Sequence, residues 1–293
     1  MLSPTLLIVG AGKLGLPLAR GLAQQTPVLL LSRRPPEPEP NIIPVAADVT
    51  DRESLRALPD SIEVAVYCLT PARHEDEAYR QIFVEGLRNL LSALAGGRLK
   101  RLIFVSSTSV YHQDDDSWVD ETSPTLPTGF SGKRLLEAEQ LLQSLAPSAT
   151  SVRFAGIYGG DRTRFLEQIL AGEIAVTGGP YTNRIHEQDC IGVLEHLVHK
   201  ALAGEALADC YLGCDSEPAR VGEIAAWVQE QVGSLPNQPR TGSGTRRAGS
   251  KRCSNRLLLD SGYRFRYPSF REGYGEMLAR RGDLLAGAGR DRC

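Results

Sequence analysis

The chain has 293 residues, with 33 Lys and Arg against 35 Asp and Glu, so its formal charge is −2. This length can bury a sizeable core in one large or two modest domains, and a content of 42% hydrophobic and 23% charged residues excludes a disordered or fibrous chain. No uninterrupted apolar run approaches the ~20 residues of a membrane-spanning helix, and the near-neutral charge does not favour nucleic-acid binding.

Cysteine usage and the first residues favour a reducing compartment. The six cysteines include no CxxC pair and lie far apart along the chain, which argues against a structural zinc site or a disulfide framework. Residues 1–9 lack the basic segment and the cleavage site of a signal peptide. We therefore expect a cytoplasmic protein that binds no metal.

Short apolar runs alternate with helical patterns through the first half of the chain. Helical periodicity covers residues 14–22 and 75–94, while apolar runs without alternation predict strands that are buried on both faces. Those runs are residues 6–9, 28–31, 42–46, 64–68 and 102–105. Strands that alternate with helices of this length predict an α/β fold with a parallel, doubly wound sheet of the Rossmann type.

The second half of the chain is more mixed. We expect a helix over residues 131–146, a strand over 152–154 and a helix over 190–202. Asp189 directly precedes the last of these helices, and we expect it to be the N-cap residue. Residues 234–252 are rich in Gly, Ser, Pro and Arg, which predicts a loop.

A glycine-rich turn follows the first strand and opens the first helix. Gly10, Gly12 and Gly15 form a GxGxxG pattern that also contains Lys13 and Leu14. In such a turn the first glycine permits a tight bend, the second lets a pyrophosphate approach the backbone, and the third lets helix and strand pack closely. The helix N-terminus offers unpaired N–H groups to the phosphates. At this position the pattern predicts a dinucleotide site, and a plain glycine turn is the alternative.

The residues after the second strand bear on the choice of cofactor. An NAD site usually has Asp or Glu about 20 residues past the glycines, where it binds the ribose 2′-hydroxyl. This chain instead has Ser32, Arg33 and Arg34 there, and a guanidinium suits a 2′-phosphate. The sequence therefore predicts NADP(H). NAD is the alternative if both arginines are solvated loop residues.

Further segments carry motifs of one protein family. They are an Asp-hydrophobe turn at 48–51, a fifth-strand signature at 104–111, a loop at 153–160, a His-x-x-Asp segment at 184–189 and a tail at 251–270. Together they resemble the extended short-chain dehydrogenase/reductases, the NAD-dependent epimerase/dehydratase type that acts mostly on nucleotide sugars. The short glycine turn and the tail resemble an atypical bacterial subgroup of that family.

The resemblance implies roles for individual residues. Besides the glycine turn, the implied cofactor contacts are Asp48 and Val49 at the adenine, Leu69, and Lys133 at the nicotinamide ribose. Ser107 takes the position of the hydroxyl that orients the substrate oxygen. The other implied substrate contacts are Thr108, Arg184 and Arg247. Arg247 belongs to an arginine-rich stretch that would hold a diphosphate, and a solvated loop is the alternative there.

One position departs from the family pattern. The family's catalytic pair is Tyr-x-x-x-Lys, whose Tyr exchanges a proton with the substrate. Here Lys133 takes the Lys position and Glu137 lies four residues after it, but Gly129 takes the Tyr position. Losing a positioned acid/base typically lowers a rate by about 10²–10⁴. Tyr111 is our first candidate replacement, ahead of Tyr158 and Glu121, although Tyr111 could instead be a buried packing residue.

The motifs support two functional hypotheses. The first is an NADP(H)-dependent oxidoreductase or epimerase that acts on a carbonyl or carbinol, in a nucleotide-linked sugar if the resemblance holds. The second is a catalytically silent NADP(H)-binding sensor or scaffold protein, which the absent Tyr favours. In either case we expect a monomer or homodimer that binds a small molecule and neither nucleic acid nor membrane.

The expected division of the chain follows from these assignments. Residues 1–155 form the predicted dinucleotide-binding Rossmann core, to which residues 185–203 return. Residues 156–184 and 204–293 form a smaller, mixed C-terminal lobe that faces the substrate.

Charge is distributed unevenly between these regions. Residues 236–293 carry a formal charge of +8, and the rest of the chain carries −10. An acidic run at 114–116 follows the fifth strand, and we expect it to border the cleft opposite the basic tail. A solvated acidic loop is the alternative.

Overall fold

The computed structural model describes residues 5–145, 148–233 and 249–290. Its strands are β1 (Leu6–Val9), β2 (Val28–Ser32), β3 (Ile42–Ala46), β4 (Val64–Tyr67), β5 (Arg101–Ser107), β6 (Trp118–Val119), β7 (Ala149–Phe154), β8 (Gly156–Tyr158), β9 (Tyr181–Thr182), β10 (Arg184–His186), β11 (Cys210–Gly213), β12 (Ala219–Arg220) and β13 (Arg252–Cys253). Its α-helices are α1 (Gly15–Leu22), α2 (Asp76–Tyr79), α3 (Leu87–Leu94), α4 (Phe130–Leu145), α5 (Arg164–Leu170), α6 (Glu187–Leu202), α7 (Val221–Val232), α8 (Arg256–Asp260) and α9 (Phe270–Arg290).

The chain forms two compact units. As far as they are described, the first contains residues 1–112, 123–154 and 190–212, and the second contains 113–122, 155–189 and 213–293. None of the helices in the described ranges combines the length and the apolar character that crossing a bilayer requires.

A parallel sheet forms the centre of the first unit. Within the described residues it has seven strands in the order β11-β7-β5-β4-β1-β2-β3. β1 pairs in parallel with both β2 and β4, and the pairs β2–β3, β4–β5 and β5–β7 are also parallel. Because later strands are added on both sides of β1, the predicted doubly wound sheet of the Rossmann type is confirmed.

The predicted helix over 75–94 is present, with a π-helical stretch at Arg80–Gly86 between α2 and α3. The Tyr67 hydroxyl donates a hydrogen bond of 2.5 Å to the carbonyl of Ile82 inside this stretch. Gly86 makes room for that contact, since a Cβ there would lie 2.9 Å from the Tyr67 oxygen. A side chain that captures a helix carbonyl is a recognised cause of such a bulge.

The second unit is built from small pairings around an apolar cluster. β8 and β10 pair in parallel, β9 and β12 antiparallel, and β6 and β13 in parallel. The buried side chains of the cluster come mainly from α5, α7 and α9. They are Tyr158, Leu166, Ile169, Ala219, Ile224, Ala225, Val228, Phe270, Tyr274 and Met277.

The predicted capping role of Asp189 is wrong. Helix α6 begins at Glu187, so Asp189 lies in its first turn and is fully buried. Its carboxylate accepts hydrogen bonds from the Tyr263 hydroxyl and the Arg266 N–H, both at 2.8 Å, and from the Tyr267 N–H at 2.9 Å. Asp189 therefore holds the segment before α9 rather than the start of α6.

We expect Asp189→Ala to destabilise the protein, because it removes the carboxylate that three donors share. The Tyr263 hydroxyl keeps the carbonyl of residue 189 as an acceptor at 3.3 Å, whereas the N–H groups of Arg266 and Tyr267 lose the carboxylate. Each unsatisfied donor costs about 1–3 kcal/mol, so the free energy of unfolding in urea should fall by at least about 2 kcal/mol. Asp260→Ala is the matched control, since in the described part of the chain this exposed carboxylate forms an ion pair only with the exposed Arg256, at 3.6 Å. The control should stay within about 0.5 kcal/mol of wild type, and equal losses in both variants would contradict this role of Asp189.

Candidate cofactor and active site

The glycine turn between β1 and α1 has no room for side chains at two of its positions. Gly10 has φ +116°, and its N–H donates a 2.8 Å hydrogen bond to the Leu31 carbonyl. A Cβ at Gly10 would lie 3.1 Å from both the Cys68 carbonyl oxygen and the Leu69 side chain. A Cβ at Gly15 would lie 1.7 Å from the Gly10 carbonyl oxygen. The contact between α1 and β1 therefore depends on both glycines.

Gly12 differs, because a Cβ there would meet nothing within 4 Å. Its backbone faces open space directly before the start of α1. The N-cap position of this helix is Leu14, whose side chain makes no capping hydrogen bond, so no side chain satisfies the first N–H groups from that position. An exposed backbone next to an uncapped helix N-terminus fits a bound pyrophosphate. Lys13 is exposed beside it.

The residues assigned to the adenosine half surround the ends of β2 and β3. Ser32 ends β2, and its buried hydroxyl has no hydrogen-bond partner in the described part of the chain, while Arg33 and Arg34 are exposed. The Asp48 carboxylate accepts from the Thr50 N–H and hydroxyl through Oδ1. These two hydrogen bonds close the turn, and Val49 beside it is buried.

Ser107, which the family resemblance places at the substrate oxygen, is the last residue of β5. Its hydroxyl oxygen accepts a 3.1 Å hydrogen bond from the Ser109 N–H, which closes a short turn at Thr108–Val110. Helix α4 packs closely on this turn at Gly132, where a Cβ would lie 2.3 Å from the Ser109 carbonyl oxygen. Lys133 is the next residue of α4 and is exposed. The structure thus brings the Ser107 turn and the Lys133 turn of α4 together.

Gly129, the position of the missing Tyr, lies directly before α4. A Cβ there would meet none of the described residues within 4 Å, and its φ is not in the left-handed region. The backbone and the space around this residue therefore accept a side chain.

Tyr111 lies in a buried polar network behind this turn. Its hydroxyl accepts a 2.7 Å hydrogen bond from Arg153, whose guanidinium pairs with Glu139 at 2.6 Å. The Ser106 hydroxyl donates to the same carboxylate at 2.6 Å. These contacts favour the packing interpretation of Tyr111, and its catalytic role stays a prediction. The buried carboxylate is Glu139, whereas Glu137 pairs with Arg134 near the surface.

Two of the other candidate residues lie inside the second unit. Arg184 stacks on the Phe165 ring at 3.9 Å, and its buried Nε has no hydrogen-bond partner among the described residues. Tyr158 is buried and stacks on Tyr274 with ring centroids 4.7 Å apart. Burial raises the pKa of the Tyr158 phenol, so it is protonated near neutral pH.

The acidic run at 114–116 is not simply solvated. Asp116 has φ +62°, a conformation that Asp tolerates better than most residues. Its carboxylate pairs with Arg220 at 2.6 Å and accepts a hydrogen bond from the Ser250 hydroxyl. Arg247 and the rest of the predicted arginine-rich stretch before Gly249 lie outside the described residues, so their substrate contacts stay a prediction.

A cluster that the motifs did not reveal lies at the start of α4. The ring of Phe130, the residue after Gly129, lies 4.8 Å from the His74 ring and 5.4 Å from the Tyr79 ring. The Tyr79 hydroxyl and His74 Nδ1 are hydrogen-bonded at 3.2 Å. His74 and Tyr79 stand in a polar segment with no motif spacing, and the only sequence signal was their position after β4, at the carboxyl edge of the sheet.

The fold and these residues define a class, the Rossmann-type α/β proteins built like the extended short-chain dehydrogenase/reductases. Residues 4–175 match the RmlD substrate binding domain family. The chain belongs to this family, whose members are related to the NAD-dependent epimerase/dehydratases.

Comparisons with individual proteins agree with this assignment. The solved structure of a protein from Methylobacillus flagellatus, assigned to the NAD-dependent epimerase/dehydratases, is 36% identical and superposes with a TM-score of 0.79, covering 95% of this chain and 98% of that one. Protein YeeZ of Escherichia coli K12 is 28% identical over 224 residues, 75% of this chain and 77% of YeeZ. The N-acetyl-α-D-glucosaminyl-diphospho-ditrans,octacis-undecaprenol 4-epimerase of E. coli O157:H7 is 26% identical over 202 residues, 63% of this chain and 59% of the epimerase.

We expect Gly12→Ala and Gly15→Ala to separate binding from folding. The methyl group of Gly12→Ala would have no atom of the described residues within 4 Å, so the melting temperature should not change. Affinity for NADH and NADPH should nevertheless fall tenfold or more, about 1.4 kcal/mol, because the methyl group occupies the pyrophosphate's approach. Gly15→Ala should lower both the melting temperature and the affinity. Undiminished cofactor affinity in Gly12→Ala, measured by fluorescence titration, would show that the glycine turn is not the binding site.

Proposed function

We propose that the protein is an NAD(P)-dependent oxidoreductase or epimerase that acts on a carbonyl or carbinol of a nucleotide-linked sugar. The observation that carries the proposal is the glycine turn, in which two positions are closed to any side chain and the third leaves the backbone open. Membership of the RmlD substrate binding domain family and the similarity to an epimerase named for a sugar that a diphosphate joins to undecaprenol support a diphosphate-linked sugar as the substrate, and the nucleotide as the carrier is our proposal.

The residues present fit a nicotinamide dinucleotide. In this proposal the turn from Gly10 to Gly15 holds the pyrophosphate, Asp48 and Val49 hold the adenine, Leu69 contacts the cofactor, and Lys133 holds the nicotinamide ribose. The Asp48 Oδ2 atom accepts no hydrogen bond in the described ranges, so it is available to an amino group. The bound cofactor would supply or accept a hydride.

The substrate half of the site is proposed from fewer contacts. Ser107 and Thr108 orient the reacting oxygen at the carboxyl end of β5, and Arg184 and Arg247 contact the remainder of the substrate. By this proposal the cofactor is bound by residues 1–155 together with 185–203, and the substrate lobe is formed by 156–184 and 204–293.

NADP(H) is the proposed form of the cofactor. The support is the position of Arg33 and Arg34 beside Ser32 at the end of β2, whose buried hydroxyl has no hydrogen-bond partner among the residues that the structure describes. A 2′-phosphate has oxygens for a hydroxyl donor and for a guanidinium, and no carboxylate among these three residues opposes it.

Cofactor titrations check this proposal. We expect wild-type protein to bind NADPH more tightly than NADH, and Arg33→Ala to lower NADPH affinity about tenfold, or about 1.4 kcal/mol, without changing NADH affinity. Arg56→Ala is the control, because Arg56 is exposed and, within the described ranges, forms an ion pair only with its neighbour Glu53. Equal affinity of the wild-type protein for NADH and NADPH would contradict the proposed NADP(H) preference but not the proposed binding site.

The second candidate function is a catalytically silent sensor or scaffold that binds NADP(H). Gly129 is the observation that favours it, since the usual phenol is absent. Turnover decides between the two functions. Wild-type protein with NADPH or NADP⁺ should change cofactor absorbance, or interconvert epimers, with at least one UDP- or dTDP-sugar.

Ser107→Ala tests the same question at the residue level. We expect kcat to fall by about 10² or more because the reacting oxygen loses its positioned hydrogen bond. Ser109→Ala, which keeps the backbone N–H that Ser107 uses, should retain wild-type turnover. Cofactor binding with no turnover of any sugar nucleotide, and no effect of Ser107→Ala, would establish the silent function.

A further inference from the structure

The start of helix α4 lacks the family's tyrosine at position 129, but the Tyr79 side chain lies close by. Gly129 carries no side chain, and the ring of the next residue, Phe130, meets the edge of the Tyr79 ring at 5.4 Å. Tyr79 also packs edge-on against Phe83, with ring centroids 5.4 Å apart. Its ring is therefore held from two sides, at the end of α4 where the family places its catalytic Tyr.

The Tyr79 hydroxyl has a route to solvent. It shares a 3.2 Å hydrogen bond with His74 Nδ1, and the His74 ring packs edge-on against it with centroids 5.5 Å apart. Tyr79 is half-buried, whereas His74 is exposed. A proton can therefore pass between a sheltered phenol and water through one imidazole.

The electrostatic surroundings suit a phenol that gives up and regains a proton. Burial raises the pKa of Tyr79, so the group is protonated at rest. Asp76 is paired with Arg134 at 2.7 and 2.9 Å, and Lys133 contributes to the lowering of the Asp76 pKa. Arg134 also pairs with Glu137 at 2.8 Å, so its charge is shared by two carboxylates. Support for a developing negative charge at this end of α4 comes from the N-terminus of this 16-residue helix.

We propose that Tyr79 replaces the missing phenol as the acid/base of the reaction and that His74 relays its proton to solvent. The inference rests on the proposed function. In the reducing direction a hydride from the reduced cofactor bonds to the carbonyl carbon as the C=O π bond breaks, and the oxygen takes the proton of the Tyr79 hydroxyl. The carbonyl becomes a carbinol and the cofactor is oxidised. The phenolate then takes a proton from His74, which takes one from water, and oxidation follows the reverse path.

The central experiment combines Tyr79→Phe with Gly129→Tyr. Tyr79→Phe keeps the ring packing, so its melting temperature and cofactor Kd should match wild type, while kcat falls by about 10²–10⁴ on the sugar nucleotide that wild type turns over. Adding Gly129→Tyr in the double variant should restore turnover, because the open space at 129 accepts the family's phenol. A purely structural role for Tyr79 would not respond to a phenol placed elsewhere.

Two further measurements test the relay and its competitor. His74→Gly should lose turnover and recover it when imidazole is added. In the cofactor-free protein, the tyrosinate absorbance of Tyr79 is identified as the signal that Tyr79→Phe removes. His74→Gly should change the pH dependence of that signal. Tyr111→Phe tests the competitor: if it lowers kcat by removing the hydrogen bond from Arg153, adding Gly129→Tyr should not restore turnover, because Tyr79 already supplies the phenol.

The outcomes separate the inference from the function on which it rests. Unchanged turnover in Tyr79→Phe, or a loss in Tyr111→Phe that Gly129→Tyr restores, overturns the inference and leaves the proposed function standing. Turnover by Gly129→Tyr but not by wild type shows that Tyr79 does not replace the phenol. Absence of turnover in both overturns the proposed catalytic function and the inference with it.

Discussion

A buried ion pair between Glu139 and Arg153 determines how the segments of the first unit that carry Ser107 and Lys133 meet. Both side chains are nearly inaccessible, at 5% and 9% exposure, and breaking one partner of such a pair leaves an uncompensated charge that costs about 3–5 kcal/mol. The pair joins α4 to β7, and its remaining hydrogen bonds reach Ser106 on β5 and the Tyr111 hydroxyl. Because Ser106 directly precedes Ser107, the pair sets the position of the β5 end relative to the helix that carries Lys133.

The sheet could be predicted from the sequence because its signals are local. Continuous apolar runs such as 6–9 and 64–68 correspond to strands buried on both faces, and the glycine turn takes its shape from sterics within a few residues. Asp189 shows what local sequence patterns cannot predict, which is a contact with a segment distant in the chain. An acid before an apolar helical pattern looks the same whether it caps the helix or binds a distant segment, and its partners Tyr263 and Tyr267 lie more than seventy positions later in the chain.

The candidate site likewise has one part that local sequence signals predict and another that they do not. Its cofactor half is formed by backbone, so glycine spacing alone predicts its shape. Its chemical half depends on side chains from separate segments, which spacing cannot bring together. Helical periodicity did not distinguish Glu139 from Glu137, although only Glu139 reaches Arg153. The contact between Tyr79 and Phe130 required the packing of α2 and the π-helical stretch against α4 before it could be recognised.

Gly129 and Gly132 lie three residues apart and have opposite tolerance for substitution. At 132 any side chain would push α4 away from the Ser109 carbonyl, whereas at 129 the surroundings are empty. Exchange of residue 129 therefore meets no barrier from folding, and a lineage could lose or regain the phenol there without passing through an unstable intermediate. Among homologues, variation at 129 would then record selection on chemistry, while invariance at 132 would record selection on packing.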